Sequence, residues 1–148
     1  MKEPPGSEGP GPGLAGLEEP VLFFDGVCNL CNRSVDWIMR RDRRRVFRFA
    51  SLQGETAKEV VPEFAKAQDL STVVLVANGR KFVRSSAVIE VLKGLGGSWR
   101  VLGCVLRVVP RPLRDWGYDR VAKARYRRWG KRDTCRVPGP EERERFLP

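Results

Sequence analysis

A short apolar run, Val21-Leu22-Phe23-Phe24, is closed by Asp25-Gly26 and followed by Cys28-x-x-Cys31 and an amphipathic stretch. This order constrains the fold more than any other feature. The run fits a buried strand with a turn after it. From Asn32 to Arg41 the apolar residues Val35, Ile38 and Met39 recur at helical spacing, so a helix is expected there. A strand, a tight turn carrying two cysteines and a helix make the first half of a β-α-β unit.

The remaining pattern extends that unit. Val46-Phe47-Arg48-Phe49 alternates and reads as a second strand, and Glu55–Ala67 is rich in helix formers with Val60, Val61 and Phe64 on one face. Thr72–Val76 reads as a third strand, and Asn78-Gly79, the favoured type I′ pair, turns it back into Lys81-Phe82-Val83. Ser85 or Ser86 is expected to cap a helix through Val88, Ile89, Val91 and Leu92 that Gly94 and Gly96-Gly97 end. Two more helices, Trp99–Val109 and Leu113–Trp129, are separated by Pro110-Arg-Pro112. The result is a β-α-β-α-β-β-α core with additional C-terminal helices. The division is a Pro/Gly-rich disordered leader over 1–19, a core over 20–97 and a basic helical extension over 98–148 packed on it, in one domain.

Composition narrows the chemistry. At 148 residues the chain can bury a core without disulfide staples, and its four cysteines, at 28, 31, 104 and 135, are too few for a disulfide framework. The N-terminal stretch has no apolar h-region and no run reaches the ~20 apolar residues of a membrane span, so the expectation is a soluble protein of a reducing, cytoplasmic compartment. There is no histidine, which removes Ser-His and Cys-His pairs, histidine bases and imidazole-dependent zinc sites. No cofactor and no metal are expected.

The cysteine pair carries the chemistry that remains. A sulfur at a helix N-terminus lies beside unpaired N–H groups and the positive end of the dipole, which favour thiolate. Such positions and Cys-x-x-Cys motifs lower a free thiol from about 8.5 into the range ~3.5–7.5. Cys28 is thus the candidate nucleophile and Cys31, one turn inside, the candidate resolving thiol. A half zinc site or two ordinary buried thiols are the alternatives, within a non-enzymatic basic binding module. Asp25 is a candidate general base for Cys31, or equally a turn residue bonding its local backbone. Cys135 is a candidate third redox cysteine against an incidental tail thiol. Cys104, among Val101, Leu102, Val105 and Leu106, reads as a small core hydrophobe.

Phe24-Asp25-Gly26-x-Cys28-x-Leu30-Cys31, Ser51-Leu52-Gln53, Arg84-Ser85-x-Ala87, Leu113-Arg114-Asp115-x-x-Tyr118-Asp119, Arg125-Tyr126-Arg127 and Cys135-x-x-Pro138 together resemble the DCC family over roughly residues 21–147. That resemblance implies a thioredoxin-like fold and thiol–disulfide oxidoreductase activity on a protein or low-molecular-weight disulfide or thiol. It also implies that Asp25, Cys28 and Cys31 form the site, with Arg84 and Ser85 holding the thiolate or an anionic group of the substrate. Ser86 departs from the family pattern, and Ser71-Thr72 occupies the slot where thioredoxins place a cis-proline.

The chain carries a formal charge of +10, and residues 100–136 hold twelve Lys and Arg against three Asp. Such a surface steers polyanions, so an acidic partner is a candidate. Arg100, Arg107, Arg111 and Arg114 fall near one helical face opposite valines and leucines, a pattern compatible with peripheral membrane contact as a minor role. Nucleic acid is disfavoured, because Tyr118, Val121, Ala122, Arg125 and Trp129 form a packing stripe with a snorkelling arginine.

Overall fold

All four residues of the first strand, β1 (Val21–Phe24), are buried, because successive side chains feed opposite faces of a sheet that is covered on both sides. Val21 and Phe23 join Ala50, Leu52, Val60 and Val74 on one face. Leu22 and Phe24 join Val35, Ile38, Phe49 and Val91 on the other. The computed structural model describes residues 19–65, 73–130, 139–140 and 143–147; the leader up to residue 18, Ser71-Thr72 and Cys135 lie outside the described residues.

After β1 the order is α1 (Asn29–Arg41), β2 (Arg48–Ser51), α2 (Glu55–Val60), α3 (Pro62–Ala65), β3 (Val74–Ala77) and β4 (Arg80–Val83). Then come α4 (Arg84–Leu95), α5 (Gly97–Val108), α6 (Arg111–Trp129) and β5 (Phe146–Leu147). The sheet runs β4-β3-β1-β2-β5. β1 pairs parallel to β2 and antiparallel to β3, with Leu22 opposite both Phe49 and Leu75. Asn78 and Gly79 both adopt positive φ, 52° and 74°, as the type I′ turn between β3 and β4 requires.

Several boundaries differ from the sequence expectation for identifiable reasons. β2 starts at Arg48 rather than Val46, because the Asp42 carboxylate accepts the Val46 and Phe47 N–H groups, each at 2.9 Å, and turns them away from the ladder. The helix expected over Glu55–Ala67 breaks at Val61, since Pro62 has no N–H to continue it. Neither Ser85 nor Ser86 caps α4, whose first residue is Arg84 and whose N-cap is Val83 without a side-chain bond. The Ser85 hydroxyl instead donates to Asp115 of α6. Pro112 lies inside α6, tolerated in the first turn where its missing N–H costs nothing. The two-residue β5 was not expected at all; it adds to β2 in parallel.

Cys104 is exposed, not the small core residue its valine and leucine neighbours suggest. α5 meets α4 through Gly103, where a Cβ would stand 3.2 Å from the Ile89 carbonyl and from Leu92 Cβ, closer than side chains ordinarily pack, so a glycine there lets the two helices approach. Trp99 anchors the start of the helix edge-on against Trp37. Turning Gly103 inward turns Cys104, Val101, Val105 and Val108 outward. Among the described residues no helix is long and apolar enough to cross a membrane.

Candidate active site

Cys28 is the N-cap of α1, with extended backbone (φ −82°, ψ 122°), and its Sγ accepts the Cys31 N–H at 3.3 Å. Helix formation itself places that sulfur at the positive end of the dipole. The loop before it is pinned from inside: the Asn32 side-chain amide donates to the carbonyls of Gly26 and Cys28, both at 2.9 Å. The Cys28 backbone N–H closes a turn onto Asp25 O at 3.2 Å. Both cysteines are free thiols; Cys28 is fully buried and Cys31 partly exposed.

Three segments converge on Asp25, which is itself buried. Its Oδ1 accepts the Val27 N–H at 3.1 Å and the Gln53 amide at 2.7 Å. Gln53 Oε1 in turn accepts the Gly26 N–H at 3.0 Å, so the residues after β2 cradle the Asp25-Gly26 turn. On the other side Asp25 Oδ2 accepts the Tyr126 hydroxyl and faces the Arg125 guanidinium at 3.5 Å. Both come from α6, about a hundred residues away in sequence. The end of that helix is tied down beside the cysteines: Asn29 donates its side-chain amide to Trp129 O at 2.8 Å and its N–H to Gly130 O at 3.3 Å.

These contacts separate the two thiols. The hydrogen bond from the Cys31 thiol holds Cys28 down to about 6; burial opposes it, while the Cys31 N–H and the Arg125 charge add to it and the Asp25 charge subtracts. The same bond, with burial, drives the Cys31 thiol far upward. One proton is therefore held by Cys31 while Cys28 carries the negative charge at neutral pH. Burial and the bond to Asp25 push Tyr126 up to about 12, so it stays a hydroxyl donor.

Asp25, Cys28 and Cys31, expected together from sequence, are together. Arg84 and Ser85 are engaged elsewhere: the Arg84 guanidinium faces Asp119 at 3.8 Å and Ser85 bonds Asp115, both on α6. Arg84 holds a positive φ of 52°, and its N–H donates to Val73 O at 3.3 Å. The cation acting on Cys28 is Arg125, whose helical spacing with Tyr118 and Val121 reads in the sequence as packing. Gln53, Asn32 and Tyr126 were likewise not singled out for the site. A signal for three of these existed, because Ser51-Leu52-Gln53 and Arg125-Tyr126-Arg127 are two of the family-like blocks.

A sheet of order β4-β3-β1-β2 with a Cys-x-x-Cys opening the helix after β1 defines a thioredoxin-like α/β protein. Within that class the chain belongs to the DCC1-like thiol-disulfide oxidoreductase family, which its residues 22–131 match. It is 40% identical over 129 residues to the uncharacterised protein YuxK of Bacillus subtilis, covering 86% of this chain and 93% of that one. It is 38% identical over 121 residues to a chloroplastic DCC family protein of Arabidopsis thaliana, covering 81% and 70% of the two chains. No solved structure matches it.

Proposed function

We propose that this protein is a thiol–disulfide oxidoreductase in which Cys28 is the nucleophile and Cys31 resolves. The observation that carries the reading is Cys28 Sγ at the N-cap of α1, accepting the Cys31 N–H and held near 6. A thiolate, not a thiol, attacks disulfides, and this position holds one at neutral pH. Its attack forms a mixed disulfide on Cys28 and breaks the substrate S–S bond, and the departing half takes up a proton. Cys31 then gives up its proton and attacks Cys28 Sγ, releasing the second half as a thiol. The pair loses two electrons and the substrate gains them; an external thiol restores the dithiol.

Asp25 serves as acceptor for the Cys31 proton, since its charge raises both thiols and it already sits in a network with Tyr126 and Gln53. Arg84 and Ser85 act on the substrate indirectly, by fixing α6 against α4. Such a cycle needs a compartment rich in thiols. The sparse cysteines fit the cytoplasm, while the Arabidopsis relative is chloroplastic.

Iodoacetamide alkylation of Cys28 followed against pH should give a midpoint near 6. Cys28→Ser should remove that reactive thiol and reduce thiol-coupled turnover of 2-hydroxyethyl disulfide by at least about a thousandfold, as loss of a covalent nucleophile does. A midpoint near the ordinary ~8.5, or zinc bound stoichiometrically by the pair, overturns the reading.

A further inference from the structure

Cys31 borders a half-open cavity of about 650 Å³ lying between α1, α4 and α6 over the face of β1, with Cys28 buried behind it. Leu22 and Phe24 of β1 line it together with Val91 and Leu92 of α4, and Cys31 is part of the same wall. Val88 and Val121 contribute apolar side chains that are 41% and 48% exposed. Its size is that of a small-molecule site, for which ~300–1,000 Å³ is usual, and so is its character of apolar walls with few polar groups.

Of the polar side chains in the wall, Tyr118, Arg125 and Ser34 are engaged with the protein, Ser34 through Leu30 O at 2.9 Å, while Arg33 lies exposed at the rim. Tyr118 Oη accepts the Val73 N–H at 2.9 Å, and burial pushes its hydroxyl up to about 12. Arg125 donates to Ala122 O at 2.8 Å and faces Asp25. A group seated deep in the cavity therefore meets hydrocarbon and one sulfur, with the Arg33 side chain at the open rim. α6 is held in place as the roof by bonds at both ends, Ser85 to Asp115 near its start and Asn29 to Trp129 O at its close. Gly117 also lines the space, and a Cβ built on it meets nothing within 4 Å.

From this we infer that the cavity is the substrate site and selects a compact, neutral, apolar disulfide, such as a dialkyl disulfide, over anionic disulfides and peptides. The inference rests on the redox reading above and specifies its substrate class. Seated against Cys31, the disulfide lies one hydrogen-bonded sulfur away from Cys28, which is buried behind that wall and must be uncovered for attack. The Cys28 thiolate then forms the mixed disulfide as the substrate S–S bond breaks, and Cys31 closes the protein disulfide as the second thiol leaves. Each turnover yields two apolar thiols and consumes two electrons from the pair.

A matched pair of probes separates cavity from surface charge. Dipropyl disulfide and 3,3′-dithiodipropionate carry the same reacting bond on short chains, but the second is a dianion that the net charge of +10 attracts. The reduced protein should react with dipropyl disulfide at least about tenfold faster, because only that probe gains from burying its chains. Gly117→Leu, which places a side chain in the open space, should lower the dipropyl disulfide rate by about tenfold or more through lost apolar burial, and leave the Cys28 alkylation midpoint where it was. A dianion that reacts as fast or faster, or a Gly117→Leu protein as active as wild type on dipropyl disulfide, overturns the cavity as substrate site.

A second measurement does not depend on redox chemistry. The Cys28→Ser/Cys31→Ser protein, titrated with dipropyl disulfide, should show saturable shifts of the Val88 and Val121 methyl resonances that Gly117→Leu abolishes. Saturable shifts without turnover in the wild type would keep the site and discard the redox reading. No shifts, with turnover present, would discard the site alone.

Discussion

Two buried aspartate–arginine pairs lie near the two ends of α1, and they are built differently. Asp42, the C-cap of the helix, meets Arg145 at 2.5 Å; its two oxygens also accept the Val46 and Phe47 N–H groups, and Arg145 donates onward to Phe47 O at 3.1 Å. Asp25, before the helix, faces Arg125 at the looser 3.5 Å, and its bonds to Gln53 and Tyr126 come from side chains rather than a closed backbone turn. Each pair joins the first β-α unit to a segment about a hundred residues later. The first closes on itself and fixes a chain path. The second leaves its charges acting on two thiols.

Breaking the closed pair should therefore be the larger effect on stability and no effect on chemistry. Arg145→Met leaves the Asp42 charge buried without its cation, for which a cost of about 3–5 kcal/mol is typical. Urea unfolding should show that loss. Amide exchange at Phe49, whose N–H bonds Arg145 O at 2.8 Å, should accelerate as β5 detaches, while the alkylation midpoint of Cys28 stays near 6. A shift of that midpoint would mean that the two pairs are coupled through α1.

The same contrast explains how far the sequence could be read. Strand and helix periodicity, the Asn78-Gly79 turn and the cysteine spacing are local signals, and the β-α-β-α-β-β-α order follows from them. What escaped is carried by long-range contacts. Nothing local says that Asp42 removes Val46 and Phe47 from β2, or that Arg145 brings a two-residue strand to the sheet edge. Cys104 sits in a run of valines and leucines that looks like core, and only the close approach at Gly103 decides which side of α5 faces inward. In the site, the cysteines and Asp25 are legible because they are contiguous. Arg125 is not, because its place at helical spacing with Tyr118, Val121 and Ala122 fits a packing stripe as well as it fits a charge aimed at Asp25.

Removing the open pair's cation tests the chemical half of the comparison. In Arg125→Met the Cys28 midpoint should rise above about 6 but stay well short of the ordinary ~8.5. The Cys31 thiol and N–H bonds remain, and the Cys31 thiol bond is the largest influence. The stability loss should be smaller than for Arg145→Met, because Asp25 keeps Tyr126, Gln53 and the Val27 N–H. An unmoved midpoint would remove Arg125 from the site.

The smallest effect, and the sharpest in sign, belongs to Asp25→Asn. The Asp25 charge raises the Cys28 thiol, so its removal should lower the alkylation midpoint below about 6. If Asp25 also takes the Cys31 proton, the same substitution should lengthen the life of the mixed disulfide on Cys28, so that attack is eased while resolution slows. Stability carries an independent check. The folded Cys28 thiol, near 6, lies below its ordinary ~8.5, so the unfolded chain binds the extra proton between them and stability rises with pH across that interval. The contribution is fully present above the unfolded value and is lost as pH falls through 6. Urea midpoints of the reduced protein at intervals from pH 5 to 9 should climb, flatten in Cys28→Ser, and begin their climb at lower pH in Asp25→Asn. A climb that starts higher in Asp25→Asn would mean that Asp25 supports the thiolate through its hydrogen bonds more than it opposes it by charge.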